Sequence, residues 1–128
     1  MNIAALIAVI WSLESSFGMN TNHPDPACHG HLGISNITIR DLNERRAEKG
    51  IFKKWTEADA MDISKSFEMA KEHISNYRQK SWTAKEILLF WKCGIKGMGN
   101  PSKEEEYYAE QGVWLFKNIN TRRQHGLD

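Results

Sequence analysis

The sequence has few cysteines and prolines, almost no net charge and no hydrophobic run long enough to cross a membrane. Two cysteines, Cys28 and Cys93, permit one disulfide but are equally compatible with two buried free thiols. The formal net charge is +1. Nucleic acids and acidic membranes attract proteins with a surplus of Lys and Arg, so neither is expected as the main partner.

An apolar run extends from Ile3 to Ile10. With its flanks it covers about eleven residues, whereas a transmembrane helix needs roughly 20. No Lys or Arg precedes the run and no small-residue cleavage site follows it, which argues against a signal peptide. The run is therefore interpreted as a buried core helix, and no transmembrane segment is predicted.

The periodicity of the chain is helical almost throughout. Its 128 residues predict a single domain over 1–128. Apolar residues recur at steps of three and four, and capping boxes begin at Thr56, Thr83 and Ser102. Together they predict helices over about 2–17, 36–48, 57–79, 84–93 and 103–119, with a frayed tail over 120–128. The fold class is an all-α orthogonal helical bundle with a long loop over 18–34, which has room for a minimal β-hairpin.

One acid, Glu14, follows the spacing of the first apolar stripe. It lies three residues after Trp11, four after Ile10 and seven after Ile7, so a helix places its carboxyl group on or beside the buried face. Apolar surroundings and the negative end of the helix dipole both disfavour an ionised carboxylate. A carboxylic acid that stays partly protonated is suited to general acid catalysis. Position alone favours a simpler interpretation, in which Glu14 caps the helix, forms a local ion pair or turns out to solvent at the helix end.

Three short motifs occur in order along the chain: ESSF at 14–17, GHLGISNI at 30–37 and WKCGIKG at 91–97. This order resembles the lysozyme-like superfamily of lytic transglycosylases and goose-type lysozymes. In that superfamily an E-S-x-F catalytic helix precedes a G-A-x-G-L-x-Q segment and then a Y/W-N-x-G segment. The resemblance covers about residues 5–100 and implies a lysozyme-like bundle with Glu14 at the catalytic position.

The resemblance also implies an activity, the cleavage of the β-1,4 bond between N-acetylmuramic acid and N-acetylglucosamine in peptidoglycan strands. Lytic transglycosylases use one Glu, whereas most hydrolytic glycosidases use two carboxylates. Asp25 and Asp41 are the candidates for a second carboxylate, but neither is marked by the sequence. The transglycosylase reaction is favoured, with hydrolysis as the alternative, and the substrate indicates an extracytoplasmic location in the periplasm, cell wall or virion.

Three positions depart from the family pattern. His31 replaces a small residue, Asn36 replaces Gln, and Lys92 replaces Asn. Asn36 retains an amide, but Lys92 substitutes a cation that cannot accept a hydrogen bond from a sugar and that would favour an ionised Glu14. A degenerate domain that binds glycan or a protein partner without cutting is therefore the alternative from another functional class, and a helical scaffold module of a larger assembly is a third.

Further side chains are candidates to line the substrate groove. Trp91 is expected either to stack on a sugar or to pack in the core, and Tyr77 either to reach the acid or to be a packed residue with a solvated hydroxyl. Ser16 is favoured over Ser15 for a substrate contact. The predicted substrate-binding set is Ser16, His31, Asn36, Tyr77, Trp91 and Lys92.

Cys28 lies just before the second motif and Cys93 lies within the third, so a disulfide between them is one expectation. The cluster of His23, Cys28, His29 and His31 has no standard zinc-ligand spacing. Neither a metal nor another cofactor is predicted.

Overall fold

The regular structure consists of helices and one short hairpin. The computed structural model describes residues 1–16 and 18–124, with side chains as far as residue 119. Among these residues, no helix is both long and apolar enough to span a bilayer. The elements in chain order are α1 (Ile3–Ser15), β1 (Cys28–His29), β2 (Ile34–Ser35), α2 (Asn36–Glu48), α3 (Glu57–Met61), α4 (Ile63–Tyr77), α5 (Ala84–Gly97) and α6 (Lys103–Gln124). The prediction of a mostly helical, all-α fold is confirmed.

The predicted capping boxes begin three of these helices. In each box the hydroxyl accepts a hydrogen bond from the backbone N–H three residues later, and the acid at that position accepts one from the backbone N–H of the cap. These bonds satisfy N–H groups that the first turn of a helix leaves unpaired. The three pairs are Thr56 with Asp59, Thr83 with Glu86, and Ser102 with Glu105.

The predicted helix over 57–79 is wrong as a single element, because the chain breaks at Asp62. Asp62 has an extended backbone (ψ 126°), and its side chain accepts a hydrogen bond from the Lys65 N–H to begin α4. An Asp side chain can accept backbone N–H hydrogen bonds that would otherwise go to helical carbonyl groups. The spacing of apolar residues does not predict such a break. Ile63, which follows the helical spacing of apolar residues in this segment, is 39% exposed beside the break.

Two other helices extend further than predicted. α5 continues from the predicted end at 93 to Gly97, across a kink at Gly94, where φ is 77° and ψ is 171°. The last helix reaches Gln124 instead of ending at 119. The rest of the predicted tail, residues 125–128, lies outside the described residues, as does Phe17, the last residue of the ESSF motif.

The core lies where α1 packs against α4 and α6, and α6 also lies along α5. Gly112 on α6 is buried, and an added Cβ would lie 2.6 Å from Leu88 Cδ1 and 3.1 Å from Leu13 Cδ1. This glycine allows α6 to approach α1 and α5 closely. The largest fully buried side chains include Leu6, Ile10, Met69, Ile74, Leu88 and Phe90.

The short hairpin contacts α2 and α3 and lies beside the end of α1. Cys28 pairs with Ser35 and His29 with Ile34 in an antiparallel register. The hairpin is anchored because Leu32 and Ile34 are buried in the common core. This anchoring places residues 33–35 against Glu14, in the region where the sequence allowed a hairpin.

Candidate active site

Glu14 lies in the last turn of α1 and lines a cavity of about 150 Å³. The helix ends there because Ser16 adopts a left-handed conformation (φ 51°) and its N–H bonds back to the Ser12 and Trp11 carbonyls. Segments from all three sequence motifs line the cavity. Its lining residues are Glu14, Cys28, Gly33, Ile34, Ser35, Thr38, His73, Trp91 and Lys92.

The hairpin glycine Gly33 lies against the Glu14 carboxyl group in the cavity wall. An added Cβ at Gly33 would lie 2.6 Å from Glu14 Oε1 and 3.1 Å from His23 Cε1, and the residue has a positive φ of 63°. A side chain here would displace the acid and strain the backbone. The second glycine of the GHLG sequence therefore leaves the space that the Glu14 carboxyl group occupies.

Tyr108 on α6 also faces Glu14, a contact that the sequence did not indicate. Burial, followed by the charge of Glu14 and the contact with its carboxyl group, raises the pKa of Tyr108 well above the ordinary value. The Tyr108 hydroxyl is buried without a well-formed hydrogen bond among the described residues. The Tyr108 side chain is thus a neutral phenol beside Glu14. Its hydroxyl lies close to the Glu14 carboxyl group but without the geometry of a full hydrogen bond.

Lys92 brings a positive charge to the same cavity. Its Nζ lies 4.9 Å from the centroid of the Tyr108 ring, a cation–π distance, and its side chain is exposed to solvent. The cavity therefore contains a carboxyl group and an ammonium group, with Tyr108 in contact with both. Lys92 is a donor only, so any ligand contact it makes must be to an acceptor.

The two cysteines are free, so the expectation of a disulfide between Cys28 and Cys93 is wrong for this structure. Burial raises the pKa of the Cys28 thiol, and the negative charges of Asp25 and Glu14 add to the effect. Burial and the neighbouring Glu105 raise the pKa of Cys93 to about 11. Both thiols are thus protonated and poor nucleophiles at neutral pH.

Two predicted substrate-binding residues at the N-terminal side lie outside the cavity lining. Ser16 is exposed at the end of α1, whereas Ser15 is buried and bonds only to local backbone. His31 accepts a hydrogen bond of 3.3 Å from Trp11 Nε1. The backbone of Ser16 terminates α1, and His31 joins the hairpin loop to that helix.

Asn36 and Tyr77 are likewise absent from the cavity lining. Asn36 is exposed, and its Oδ1 lies 2.6 Å from His29 Nε2. Tyr77 directs its hydroxyl to Asp41, at 3.0 Å from Oδ1 and 2.9 Å from Oδ2. Of the predicted groove residues, the cavity contains Trp91 and Lys92 together with Glu14.

Neither candidate for a second carboxylate lines the cavity. Asp25 is exposed, and its Oδ1 accepts a hydrogen bond from the Ala27 N–H in the loop. Asp41 is occupied by Tyr77 and by Arg45, whose Nε lies 3.6 Å from Oδ2. Among the described residues that line the cavity, Glu14 is the only carboxylic acid.

His73 lines the cavity although the sequence analysis did not select it. It lies on α4, three residues after Ala70 and four before Tyr77, so its position on that apolar stripe was the available signal. The ring packs on Phe90, with centroids 4.9 Å apart. Burial lowers the pKa of His73 to about 4, with Arg45 contributing in the same direction and Asp41 opposing.

This buried imidazole predicts a loss of stability in mild acid. Because the folded pKa of His73 is about 4 and the ordinary value is 6.5, the unfolded chain takes up a proton in that window before the folded chain does. Stability is full above pH 6.5 and falls as the pH approaches 4, with a loss on the order of 2 kcal/mol from this group.

Urea unfolding of the native protein and of His73→Phe at pH 7 and pH 4.5 measures the effect. The variant should lose less stability than the native protein over that interval. An equal loss in both proteins would assign the acid sensitivity to other groups.

Among the described residues, no cluster of three His, Cys, Asp or Glu side chains could hold a metal ion. Within the former zinc candidate, His23 Nε2 contacts the Gly30 carbonyl oxygen at 2.5 Å and His29 contacts Asn36. The side chains that line the cavity can supply acid–base and hydrogen-bonding chemistry.

In comparisons with protein-family models, with curated proteins and with solved structures, no significant match to this chain was found.

Proposed function

We propose that this protein cleaves the β-1,4 bond between N-acetylmuramic acid and N-acetylglucosamine in peptidoglycan, with Glu14 as the sole acid/base. The observation that carries the proposal is that Glu14 is the single carboxylic acid among the described residues of a cavity lined by segments of all three motifs. Hairpin residues 33–35 form one wall and Trp91 with Lys92 on α5 lies in another. The motif order of the sequence and the spatial grouping of the segments are separate observations that support the same function.

A single carboxyl group supports the transglycosylase reaction better than hydrolysis. Glu14 donates its proton to the glycosidic oxygen as the bond to the anomeric carbon breaks. The resulting carboxylate then accepts the proton of the sugar's C6 hydroxyl as that oxygen bonds to the anomeric carbon and closes a 1,6-anhydro ring. Hydrolysis by two carboxylates would need a second acid opposite the first, and the described lining contains none.

The products test the proposal directly. Purified protein is incubated with peptidoglycan sacculi, and the released muropeptides are analysed by mass spectrometry. Products with 1,6-anhydro ends are expected. Products with reducing ends would replace the transglycosylase reaction with hydrolysis, and intact sacculi after prolonged incubation would reject cleavage.

Lys92 favours a second candidate, a lysozyme-like module that binds glycan without cutting it. The ammonium group shares the cavity with Glu14 and stands where the family pattern has a neutral amide, which can both donate and accept hydrogen bonds. If the protein is such a module, sacculi should retain it in a pull-down while no muropeptides are released.

Replacement of Lys92 by Asn restores the amide of the family pattern and removes the opposing charge. If Lys92 opposes cleavage, Lys92→Asn should raise the cleavage rate, because the ammonium group no longer occupies the cavity beside Glu14. Lys96→Asn, in an exposed position one turn further along α5, is the matched control and should keep the native rate. A slower Lys92→Asn enzyme would instead assign Lys92 a favourable substrate contact.

A further inference from the structure

One edge of the His73 imidazole ring is covered by protein, and the other edge is the one that a ligand in the cavity can reach. Its Nδ1 is fully buried and lies 3.8 Å from Asp41 Oδ2, too far for a hydrogen bond. The residue also lines the cavity that contains Glu14. Because the Nδ1 edge is closed by protein, the opposite edge with Nε2 is the one that a cavity ligand can reach.

The ring and its carboxylate neighbour are both fixed in orientation. Phe90 lies against the His73 ring at 4.9 Å between centroids, while Tyr77 and Trp91 meet it edge-on at 5.5 Å and 6.2 Å. The Asp41 carboxylate is held by the Tyr77 hydroxyl through both of its oxygens. Neither group can turn away without repacking the interface of α2, α4 and α5.

The arrangement selects one tautomer of His73. A carboxylate beside Nδ1 favours the tautomer with the proton on Nδ1, which leaves Nε2 with a free lone pair. Burial keeps the imidazole uncharged at neutral pH, because the pKa of His73 falls to about 4. The other titratable groups around the ring or on the cavity wall are Asp41, Arg45, Tyr77, Glu14, Lys92 and Cys28.

We propose that His73 binds the glycan directly, as a hydrogen-bond acceptor for a sugar hydroxyl or an N-acetyl N–H, with Asp41 as the residue that orients it. The inference rests on the proposed function, since it takes the ligand of the cavity to be a glycan. Lys92 can only donate, and the proton of Glu14 goes to the glycosidic oxygen. The other acceptors for the donor groups of the sugar are therefore the carbonyl oxygen of the Glu14 carboxyl group and the hydroxyl and backbone oxygens of the lining.

Nitrogen NMR of the imidazoles tests the geometry and the binding together. The probe is a soluble N-acetylglucosamine oligosaccharide added to the full chain at pH 7. In the free protein, His73 should show the Nδ1-protonated tautomer, and the oligosaccharide should shift its Nε2 resonance. Asp41→Asn should reduce the population of that tautomer, because it removes the orienting charge.

Affinity and kinetics of variants give the second readout. His73→Phe keeps the ring packing but removes the acceptor, so it should weaken oligosaccharide binding by roughly tenfold and raise KM for peptidoglycan more than it changes kcat. His73→Gln should restore part of the affinity through its carbonyl oxygen. Ser75→Ala, an exposed change on the same helix, is the matched control, and circular dichroism checks that each variant is folded.

The outcomes separate this inference from the proposed function. A shifted Nε2 resonance in a protein that cleaves no peptidoglycan would uphold the role of His73 and reject the enzymatic proposal. Cleavage by the native protein with unchanged KM and affinity in folded His73→Phe would overturn the role of His73 alone. An Nε2-protonated tautomer in the free protein, or no shift of its resonance with the oligosaccharide, would also overturn it.

Discussion

Glu14→Gln should lower the rate of muropeptide release by about 10²–10⁴-fold, the usual contribution of a general acid or base. Glutamine has nearly the shape of glutamic acid, so it should fit the space that Gly33 leaves beside the carboxyl group. Its amide cannot donate a proton to the glycosidic oxygen or accept one from the C6 hydroxyl. Since the described cavity lining has no other carboxylic acid, no neighbour can take over the task.

The measurement combines turbidity of sacculi with mass spectrometry of released muropeptides. Glu44→Gln is the matched control, because it makes the same chemical change at an exposed position of α2 and should leave the rate unchanged. Thermal unfolding should give similar midpoints for both variants. Equal release of muropeptides by Glu14→Gln and by the native protein would contradict the catalytic role of Glu14, whatever the products are.

Gly30→Ala should destabilise the fold by about 2–5 kcal/mol through overpacking and left-handed backbone strain. Gly30 has φ of 72°, and an added Cβ would lie 2.1 Å from the Ala60 carbonyl oxygen. That oxygen belongs to the backbone of α3, so a change of side-chain rotamer cannot relieve the clash. The hairpin would have to move away from α3, and with it the wall that Gly33 forms beside Glu14.

Gly50→Ala separates backbone strain from the clash. Gly50 has a similar positive φ of 79°, but an added Cβ there would meet no heavy atom within 4 Å. It should therefore cost only the strain, about 1–2 kcal/mol. Urea unfolding of both variants measures the difference, and equal losses would show that the hairpin adjusts to the added methyl group without cost.

Local spacing was sufficient for much of the helical framework. A capping box depends on residues three apart, so Thr56, Thr83 and Ser102 could be assigned as helix starts without knowledge of the fold. The second helix was predicted over 36–48, the range that Asn36–Glu48 occupies. The break at Asp62 was missed because the apolar spacing continues across it while a single side chain caps the next helix.

The set of residues that form the candidate site was harder to predict from the sequence. The sequence located Glu14 on the buried side of the first helix and selected Trp91 and Lys92, which do line the cavity with it. It did not select His73 or Tyr108, which come from α4 and α6 and reach Glu14 or its cavity through packing. It also placed Tyr77 in the groove, whereas the tertiary structure directs the Tyr77 hydroxyl to Asp41.

The sequence by itself determined the helical class, three helix starts and an acid at the end of the first helix, because each depends on residues within one or two turns of one another. Only the tertiary structure decided which side chains share the cavity with that acid and that the two cysteines remain unbonded. Those relations join residues that are tens of positions apart. These relations depend on how α1, α4, α5, α6 and the hairpin pack together. A local sequence pattern does not predict that packing.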